Sequence, residues 1–213
     1  MNELPTVIVL AAGGGFRFTG RGHKLAQDLG ESSVLGTTLG QVVASRLPAI
    51  VVTTSALAEI AARHVASRDV VILPPVDSTS AEPLGMGYSI AAGVAARANS
   101  PGWLILPADM PLIQPATLLA VAAQLGQYPA AFAQYRGRRG HPVGFAAELY
   151  SELIVLSGGD GARRLLSRYP SAAVEVDDRG VLLDIDTEAD LSLLRRVAAG
   201  SPEVPQAPAV PLP

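Results

Sequence analysis

Short apolar runs alternate with longer amphipathic stretches along the first half of the chain. The runs are rich in β-branched residues and have no polar alternation, which is typical of strands buried on both faces of a parallel sheet. The stretches between them are rich in alanine, with apolar residues three and four positions apart, and this spacing predicts helices. We predict strands over residues 6–10, 50–53, 70–73 and 103–106, and helices over 35–46, 56–66 and 86–97.

The second half of the chain is less regular. Residues 130–135 and 142–145 are predicted strands on either side of a basic turn, 136–140, and a helix is predicted over 160–169 with Asp160 near its start. Residues 173–176 and 181–184 are predicted to form a late hairpin. Thr187 is suited to cap a last helix that ends at residue 198.

The alternation of strands and helices predicts one α/β domain over residues 1–198. Its expected architecture is a Rossmann-like, open, mostly parallel sheet with helices on both faces. Residues 199–213 carry five prolines and are predicted to be a disordered or polyproline tail without catalytic content. Ligands of such sheets bind beyond the carboxyl ends of the strands, which draws attention to the segments that follow the first and fourth runs.

Composition excludes several classes of protein. The chain has 213 residues, 49% of them hydrophobic, but its apolar runs fall far short of the ~20 residues that a membrane span needs. The amino terminus has no basic region followed by an apolar core, so we expect a cytoplasmic protein with no membrane partner. The absence of cysteine excludes thiolate catalysis and cysteine metal sites, and the net charge of −3 argues against a nucleic-acid partner.

Residues 10–25 form the most informative segment. Three consecutive glycines, Gly13, Gly14 and Gly15, follow the first predicted strand, and glycine lets backbone amides approach phosphate oxygens closely. Arg17 and Lys24 can neutralise the same oxygens, and Lys24 is the one lysine among 16 basic residues. The segment fits neither the dinucleotide-binding fingerprint nor a Walker P-loop. It is therefore either a different phosphate-binding loop or a mobile surface turn.

Three aspartates are candidate metal ligands. Asp109 comes just after a predicted central strand and lies between two prolines, as suits a carboxylate that holds Mg²⁺ on a nucleotide. Its alternative role is to cap the helix after Pro115. Asp184 and Asp186 lie on one face of an extended segment before the last helix, where either a second metal ligand or helix capping explains them.

Two further segments carry candidate binding residues. Ser89 lies in the first turn of a predicted helix opened by two glycines, where an anion or the edge of a base can bind, although Ser89 can equally serve as a cap. Arg139 and His141 combine a fixed positive charge with a titratable imidazole at a strand entry. They belong either to a substrate site or to a solvated hairpin tip.

In this order, the segments resemble the nucleotidyltransferases that act on the molybdenum cofactor. The resemblance covers nearly the whole chain short of the tail, and two segments look most like the cytidylyltransferase branch. Those two are R-G-H-P-V at 139–143 and G-D-G-A-R-R-L-L at 159–166. The other matching segments are the L-A-A-G loop with Arg17 and Lys24, G-M-G-Y-S-I at 85–90, P-A-D-M-P-L-I at 107–113 and D-I-D-T-E-A-D-L at 184–191.

The resemblance implies a fold of the nucleotide-diphospho-sugar transferase type and a Mg²⁺-dependent activity. CMP from CTP would pass to the terminal phosphate of molybdopterin, with a recipient molybdoenzyme or its chaperone as a further partner. The alternatives are guanylyl transfer from GTP, transfer to a sugar or alcohol phosphate, and a non-catalytic module that delivers the cofactor. The implied nucleotide ligands are Leu10, Ala11, Ala12, Gly13, Gly14, Gly15, Arg17, Lys24 and Ser89; the implied acceptor ligands are Arg139 and His141; the implied metal ligands are Asp109, Asp184 and Asp186.

Overall fold

A computed structural model describes residues 4–13, 18–20, 22–74, 85–158 and 162–198. The predicted tail, 199–213, and Asp160 lie outside these residues. The strands are β1 (Thr6–Ala11), β2 (Asp28–Leu29), β3 (Ser32–Ser33), β4 (Ala49–Thr54), β5 (Val70–Leu73), β6 (Gly102–Pro107), β7 (Ala130–Tyr135), β8 (Arg138–Ala146) and β9 (Ser171–Glu175). The α-helices are α1 (Val34–Ala44), α2 (Ser55–Ala62), α3 (Met86–Ala96), α4 (Pro115–Gln124), α5 (Tyr150–Leu153), α6 (Arg163–Arg168) and α7 (Glu188–Ala198).

Seven of the described strands form one sheet in the order β5-β4-β1-β6-β8-β7-β9. The pairs on either side of β1 are parallel, as are β4 with β5 and β7 with β9, whereas β8 runs antiparallel to both β6 and β7. This is the mostly parallel, Rossmann-like sheet that the sequence predicts. No helix in the described ranges is long and apolar enough to span a membrane.

Helices cover both faces of the sheet, and each face has its own apolar core. One core includes Val9, Leu39 and Leu118 and lies under α1, α2, α4 and α7. The other includes Ile8, Ile90 and Phe145 and lies under α3, α5 and α6. Because alternate residues of β1 face opposite cores, this strand is buried on both sides, in agreement with its lack of alternating polar positions.

Two predictions about the second half are wrong. The basic turn is confined to Arg136 and Gly137, which both have positive φ, so residues 138–140 continue as part of β8. Residues 181–184 do not form a hairpin with 173–176, because Arg179–Leu182 is a 3-10 helix and β9 pairs in parallel with β7. Val181 is buried in the 3-10 helix, as an apolar residue of a strand would also be. Hydrophobic pattern alone therefore does not distinguish a short 3-10 helix from a strand at this position.

Candidate active site

The site lies at the edge of the sheet where β1 and β6 end. Ala108 N donates to Leu10 O at 3.1 Å and continues the pairing of these strands one residue beyond β6. The buried hydroxyl of Thr38 on α1 donates to Ala108 O at 2.8 Å. These bonds fix the backbone that carries Asp109. They place this carboxylate next to the loop that follows β1, as the topology of a parallel sheet predicts.

Lys24 lies between two of the predicted metal ligands. Its Nζ donates to Asp109 Oδ2 at 2.6 Å, to Ile185 O at 2.8 Å and to Asp186 Oδ1 at 3.4 Å. The side chains of Lys24 and Asp109 are only 13% and 15% exposed. The ammonium group thus ties the first loop to the end of β6 and to the segment before α7. These are the three segments that sequence analysis singled out for triphosphate and metal binding.

The three candidate aspartates come together. Asp109, Asp184 and Asp186 each offer a carboxylate oxygen, and these oxygens all lie within 4.8 Å of one another. Asp109 Oδ1 is buried and has no hydrogen-bond partner in the part of the chain that the structure describes. Lone carboxylate oxygens are rare in a protein interior because burial without a partner is costly. A hard divalent cation that prefers carboxylate oxygens satisfies this atom, so the residues present fit such an ion.

The pKa of Asp184 is affected by its neighbours in this cluster. The side chain of Asp184 keeps contact with solvent, but its partial desolvation raises the pKa of its carboxyl group, and the negative charges of Asp109 and Asp186 raise it further. Lys24 opposes the shift without reversing it. Excess negative charge therefore remains around Asp184 when all three carboxyl groups are ionised, which is a feature that binding of a cation relieves.

The N-termini of the two helices that Asp109, Asp184 and Asp186 could have capped are capped by other residues. The cap of α4 is Asp178, whose Oδ2 accepts from Gln114 N at 2.8 Å, and Asp109 takes no part in it. Thr187 was correctly predicted to cap α7, since its Oγ1 accepts from Asp190 N at 3.2 Å. Asp190 returns the contact by accepting from Thr187 N at 2.7 Å. Thr187 thus supplies this cap, and Asp184 and Asp186 each offer a carboxylate oxygen to the cluster.

The predicted nucleotide loop is described only in part. Leu10 and Ala11 are the last two residues of β1, and Ala12 and Gly13 follow directly. A Cβ at Gly13 would meet no atom of the described residues within 4 Å. Gly14, Gly15 and Arg17 lie outside the described residues, and their assignment to the triphosphate stays a prediction.

His23 is a member of the site that sequence reasoning missed. Its Nδ1 accepts from Leu25 N at 3.1 Å and caps the short 3-10 helix that begins at Lys24. Because Nδ1 is an acceptor, Nε2 carries the proton of the neutral ring and donates to Gly13 O at 3.0 Å. One imidazole thus joins the glycine-rich loop to the residue next to Lys24. The only signal in the sequence is its position directly before Lys24.

Ser89 lies on the opposite face of the sheet from Lys24, among residues that pack with the second core. It is 8% exposed and lies in the first turn of α3, where it was predicted. A Cβ at Gly87 would lie 2.7 Å from Ser157 O, so the start of α3 is in direct contact with the backbone after α5. This close approach explains one of the two glycines that open the helix.

Arg139 and His141 both lie in β8, in an irregular part of the strand where its register with β7 shifts and the His141–Pro142 peptide bond is cis. The exposed Arg139 guanidinium lies over the Phe132 ring, 4.2 Å from Cζ to the ring centroid. Burial lowers the pKa of His141, and a hydrogen bond with the Ile105 backbone and the charge of Asp109 oppose this shift only in part. His141 Nδ1 is buried without a partner among the described residues. The structure thus places the His141 imidazole near Asp109, whereas Arg139 lies over Phe132.

The chain is similar to two curated proteins over part of its length. Purine catabolism protein PucB of Bacillus subtilis is 33% identical over 117 residues, which are 53% of this chain and 57% of PucB. Phosphoenolpyruvate guanylyltransferase of Mycolicibacterium smegmatis is 31% identical over 155 residues, 72% of this chain and 66% of the relative. The chain thus spans less than two thirds of the length of either of these curated relatives.

Among solved structures, Rv0371c from Mycobacterium tuberculosis has a TM-score of 0.75 and 26% identity, over 91% of this chain and 98% of its own. Its complex with manganese has a TM-score of 0.74 at the same identity, over 92% of this chain and 100% of its own. Residues 7–174 match the family described as the MobA-like NTP transferase domain, and they include Lys24, Asp109 and His141. This match covers well over half of the sequence, and the chain therefore belongs to the MobA-like NTP transferase family.

Proposed function

We propose that the protein is a divalent-metal-dependent nucleotidyltransferase that acts on a phosphate monoester. An oxygen of the acceptor phosphate attacks the α-phosphorus of a nucleoside triphosphate. The bond from the α-phosphorus to the oxygen that bridges to the β-phosphate breaks, and pyrophosphate leaves with the electron pair. The product carries a new pyrophosphate linkage between acceptor and nucleoside. This reaction requires positioning and charge stabilisation more than covalent help from the protein.

The observation that carries the proposal is the buried, unpartnered Oδ1 of Asp109 within a carboxylate cluster. Asp109, with Asp184 and Asp186, would hold a Mg²⁺ or Mn²⁺ ion there. Such an ion would supply positive charge that offsets the negative charge of the phosphates. Rv0371c, the structural relative solved with manganese, supports a divalent ion as the metal.

The remaining residues have separate roles in the proposal. Lys24, with Arg17 and the amides of the glycine-rich loop, offsets charge on the departing pyrophosphate. Its Nζ lies within hydrogen-bond distance of the metal ligands, so a small rotation of a long side chain directs it to a phosphate. Leu10, Ala11, Ala12 and Ser89 contribute to the nucleotide pocket, whereas Arg139 and His141 face the acceptor.

CTP and molybdopterin are the preferred substrates in this proposal. The R-G-H-P-V segment at 139–143 and the G-D-G-A-R-R-L-L segment at 159–166 support them by resemblance to the cytidylyltransferase branch. GTP with phosphoenolpyruvate is the second candidate pair, because one curated relative is a phosphoenolpyruvate guanylyltransferase. Both acceptors are phosphate monoesters, so the same cationic face at Arg139 suits either one.

The test is release of pyrophosphate from each of the four common nucleoside triphosphates. Each is incubated with the protein and Mg²⁺ or Mn²⁺, with reduced molybdopterin cofactor, with phosphoenolpyruvate or with no acceptor. We expect release that depends on an acceptor and is fastest with CTP and the molybdopterin cofactor. Release with GTP and phosphoenolpyruvate alone would reassign the substrates and keep the reaction class.

Asp109→Asn separates catalysis from mere binding. The variant removes one metal ligand, so we expect it to abolish pyrophosphate release while it keeps measurable affinity for the nucleotide. A delivery module that binds nucleotide without turning it over would release no pyrophosphate in any reaction with the wild-type protein. That result would overturn the proposal.

A further inference from the structure

The buried carboxylate of Asp178 joins two segments that are far apart in sequence. Asp178 is 3% exposed. Its Oδ2 accepts from Gln114 N at 2.8 Å and from Thr117 Oγ1 at 2.7 Å, while its Oδ1 accepts from Gly180 N at 2.8 Å. One side chain thus caps the start of α4, whose N-cap residue Gln114 makes no side-chain cap of its own, and also caps the 3-10 helix Arg179–Leu182.

Two glycines show how closely these segments approach each other. A Cβ at Gly180 would overlap the carbonyl group of Leu112, and a Cβ at Gly140 on β8 would overlap the carbonyl group of Val181. The 3-10 helix therefore packs by its backbone against the loop after β6 on one side and against β8 on the other. Real Cβ atoms do not reach such contacts, so the packing depends on glycine at both positions.

The two segments that carry the acidic cluster both start from the contact between Asp178 and Gln114. The loop that ends at Gln114 carries Asp109 five residues earlier, and the segment that begins at Asp178 carries Asp184 and Asp186 six and eight residues later. The branches meet again where Ile185 N donates to Asp109 O at 3.1 Å. Contacts at Asp178 and at Ile185 thus close a ring of backbone that includes Asp109 and Asp184 and ends directly before Asp186.

We propose that Asp178 is a positioning residue, which sets the spacing between Asp109 and the Asp184–Asp186 pair and so determines the affinity for the divalent ion. The inference rests on the proposed metal-dependent function. Asp178 contacts none of the three carboxylates in the bonds that define its position, and acts through the backbone at both ends. Groups that hydrogen-bond directly to metal ligands typically change metal affinity by about 10- to 100-fold when they are removed, and for Asp178, which acts through the backbone, we expect the lower end of this range.

The test measures binding of Mn²⁺ alone to the full chain, by the electron paramagnetic resonance signal of the free ion. Asp178→Asn keeps one acceptor oxygen but places an amide where donors already point, and we expect it to raise the Kd for Mn²⁺ by about tenfold. Thr117→Val removes one of the three hydrogen bonds and is expected to raise this Kd by about threefold. The Mn²⁺ concentration that half-activates pyrophosphate release should rise by the same factors.

Ser100→Ala is the matched control. Ser100 Oγ pairs with Thr6 N and Thr6 Oγ1 at 3.1 and 2.9 Å and donates to Gly102 O at 2.7 Å. These bonds tie together the starts of β1 and β6, at the end of the sheet opposite the carboxylates. Their loss should lower the unfolding temperature and leave the Kd for Mn²⁺ unchanged. A general loss of stability is thereby distinguished from a change in the spacing of the metal ligands.

The outcomes separate the inference from the proposed function. If folded Asp178→Asn binds Mn²⁺ within about twofold of the wild type, Asp178 does not set the affinity and the inference is wrong. If Asp178→Asn does not fold, Thr117→Val decides by the same criterion. Wild-type protein that releases pyrophosphate with Mg²⁺ or Mn²⁺ keeps the proposed function in either case. Wild-type protein that binds no Mn²⁺ and releases no pyrophosphate overturns both.

Discussion

The ammonium group of Lys24 and the carboxylate of Asp109, 85 residues apart in the chain, meet at 2.6 Å at the edge of the sheet. Both side chains are largely buried, and Lys24 also donates to the backbone of Ile185. When one member of a buried pair is removed, the other keeps its charge without compensation. Lys24 is therefore positioned both to balance the acidic cluster and to contact a phosphate bound there.

Replacement of Lys24 should abolish most of the activity. We expect Lys24→Ala to lower the rate of pyrophosphate release at saturating nucleotide by about 100-fold, because a charge that stabilises developing negative charge in a dry site typically contributes this much. Arg63→Ala is the control, since Arg63 pairs with Glu59 on the exposed surface of α2. Its rate should equal that of the wild type. A Lys24→Ala rate within about threefold of the wild type would contradict the role assigned to Lys24.

The raised pKa of Asp184 predicts a pH-dependent stability. The ordinary pKa of this carboxyl group is 3.8, and its pKa in the folded chain is higher because of burial and because of the charges of Asp109 and Asp186. Between the two values the folded state binds more protons than the unfolded state. The contribution of Asp184 therefore becomes less favourable as pH rises through this interval, and the loss is complete above the raised pKa.

Asp184→Asn removes this unfavourable contribution. Without divalent ions, we expect the variant to unfold at a higher temperature than the wild type near pH 7, and the difference to shrink as pH approaches the ordinary pKa of 3.8. Added Mn²⁺ should stabilise the wild type more than the variant. Thermal unfolding at a series of pH values provides the measurement, with exposed Asp177→Asn as the control. A difference in unfolding temperature that does not vary with pH would show that the cluster does not act on Asp184.

The main elements and the edge that carries the site were accessible to sequence reasoning because they depend on local pattern. The β1 and β5 runs are apolar over nearly all of their length, and Thr187 has the hydroxyl that a cap requires. The meeting of Lys24 with Asp109 follows from topology, since the loops after two adjacent parallel strands share one edge of the sheet. Neither inference requires knowledge of distant contacts.

What sequence reasoning missed depends on contacts between distant residues. Asp178 lies in the turn of the predicted hairpin between 173–176 and 181–184, yet it caps a helix whose N-cap residue, Gln114, is 64 positions earlier in the chain. Residues 138–140 were assigned to a turn because they are basic, although β8 continues through them with exposed side chains at 138 and 139. Hydrophobic pattern does not report a strand end that faces solvent or a cap supplied from elsewhere in the chain.

His23 should affect nucleotide binding and local stability separately. Asn is a good N-cap, so His23→Asn can still accept from Leu25 N, but its shorter side chain does not reach Gly13 O. We expect this variant to keep its unfolding temperature and to raise the KM for the nucleotide several-fold. His23→Ala loses the cap as well, a loss of about 1 kcal/mol, and should unfold at a temperature about 2–4 °C lower. Equal KM values for all three proteins would show that the loop does not depend on this contact.

Arg139 should affect the acceptor and not the nucleotide. Its guanidinium plane rests on the Phe132 ring, which fixes the orientation of a group that pairs well with phosphate. We expect Arg139→Ala to raise the KM for the acceptor by about tenfold, as loss of a charged hydrogen bond predicts, and to leave the KM for the nucleotide unchanged. Phe132→Leu keeps an apolar side chain in the core but removes the aromatic face, so a smaller increase in the acceptor KM is expected.

Arg138→Ala is the matched control, because Arg138 is the exposed neighbour whose side chain points to the other side of β8. Steady-state rates with the acceptor varied at saturating nucleotide, and then the reverse, provide the measurement. An equal effect of Arg138→Ala and Arg139→Ala on the acceptor KM would indicate a general attraction by positive charge and would contradict a defined phosphate contact at Arg139.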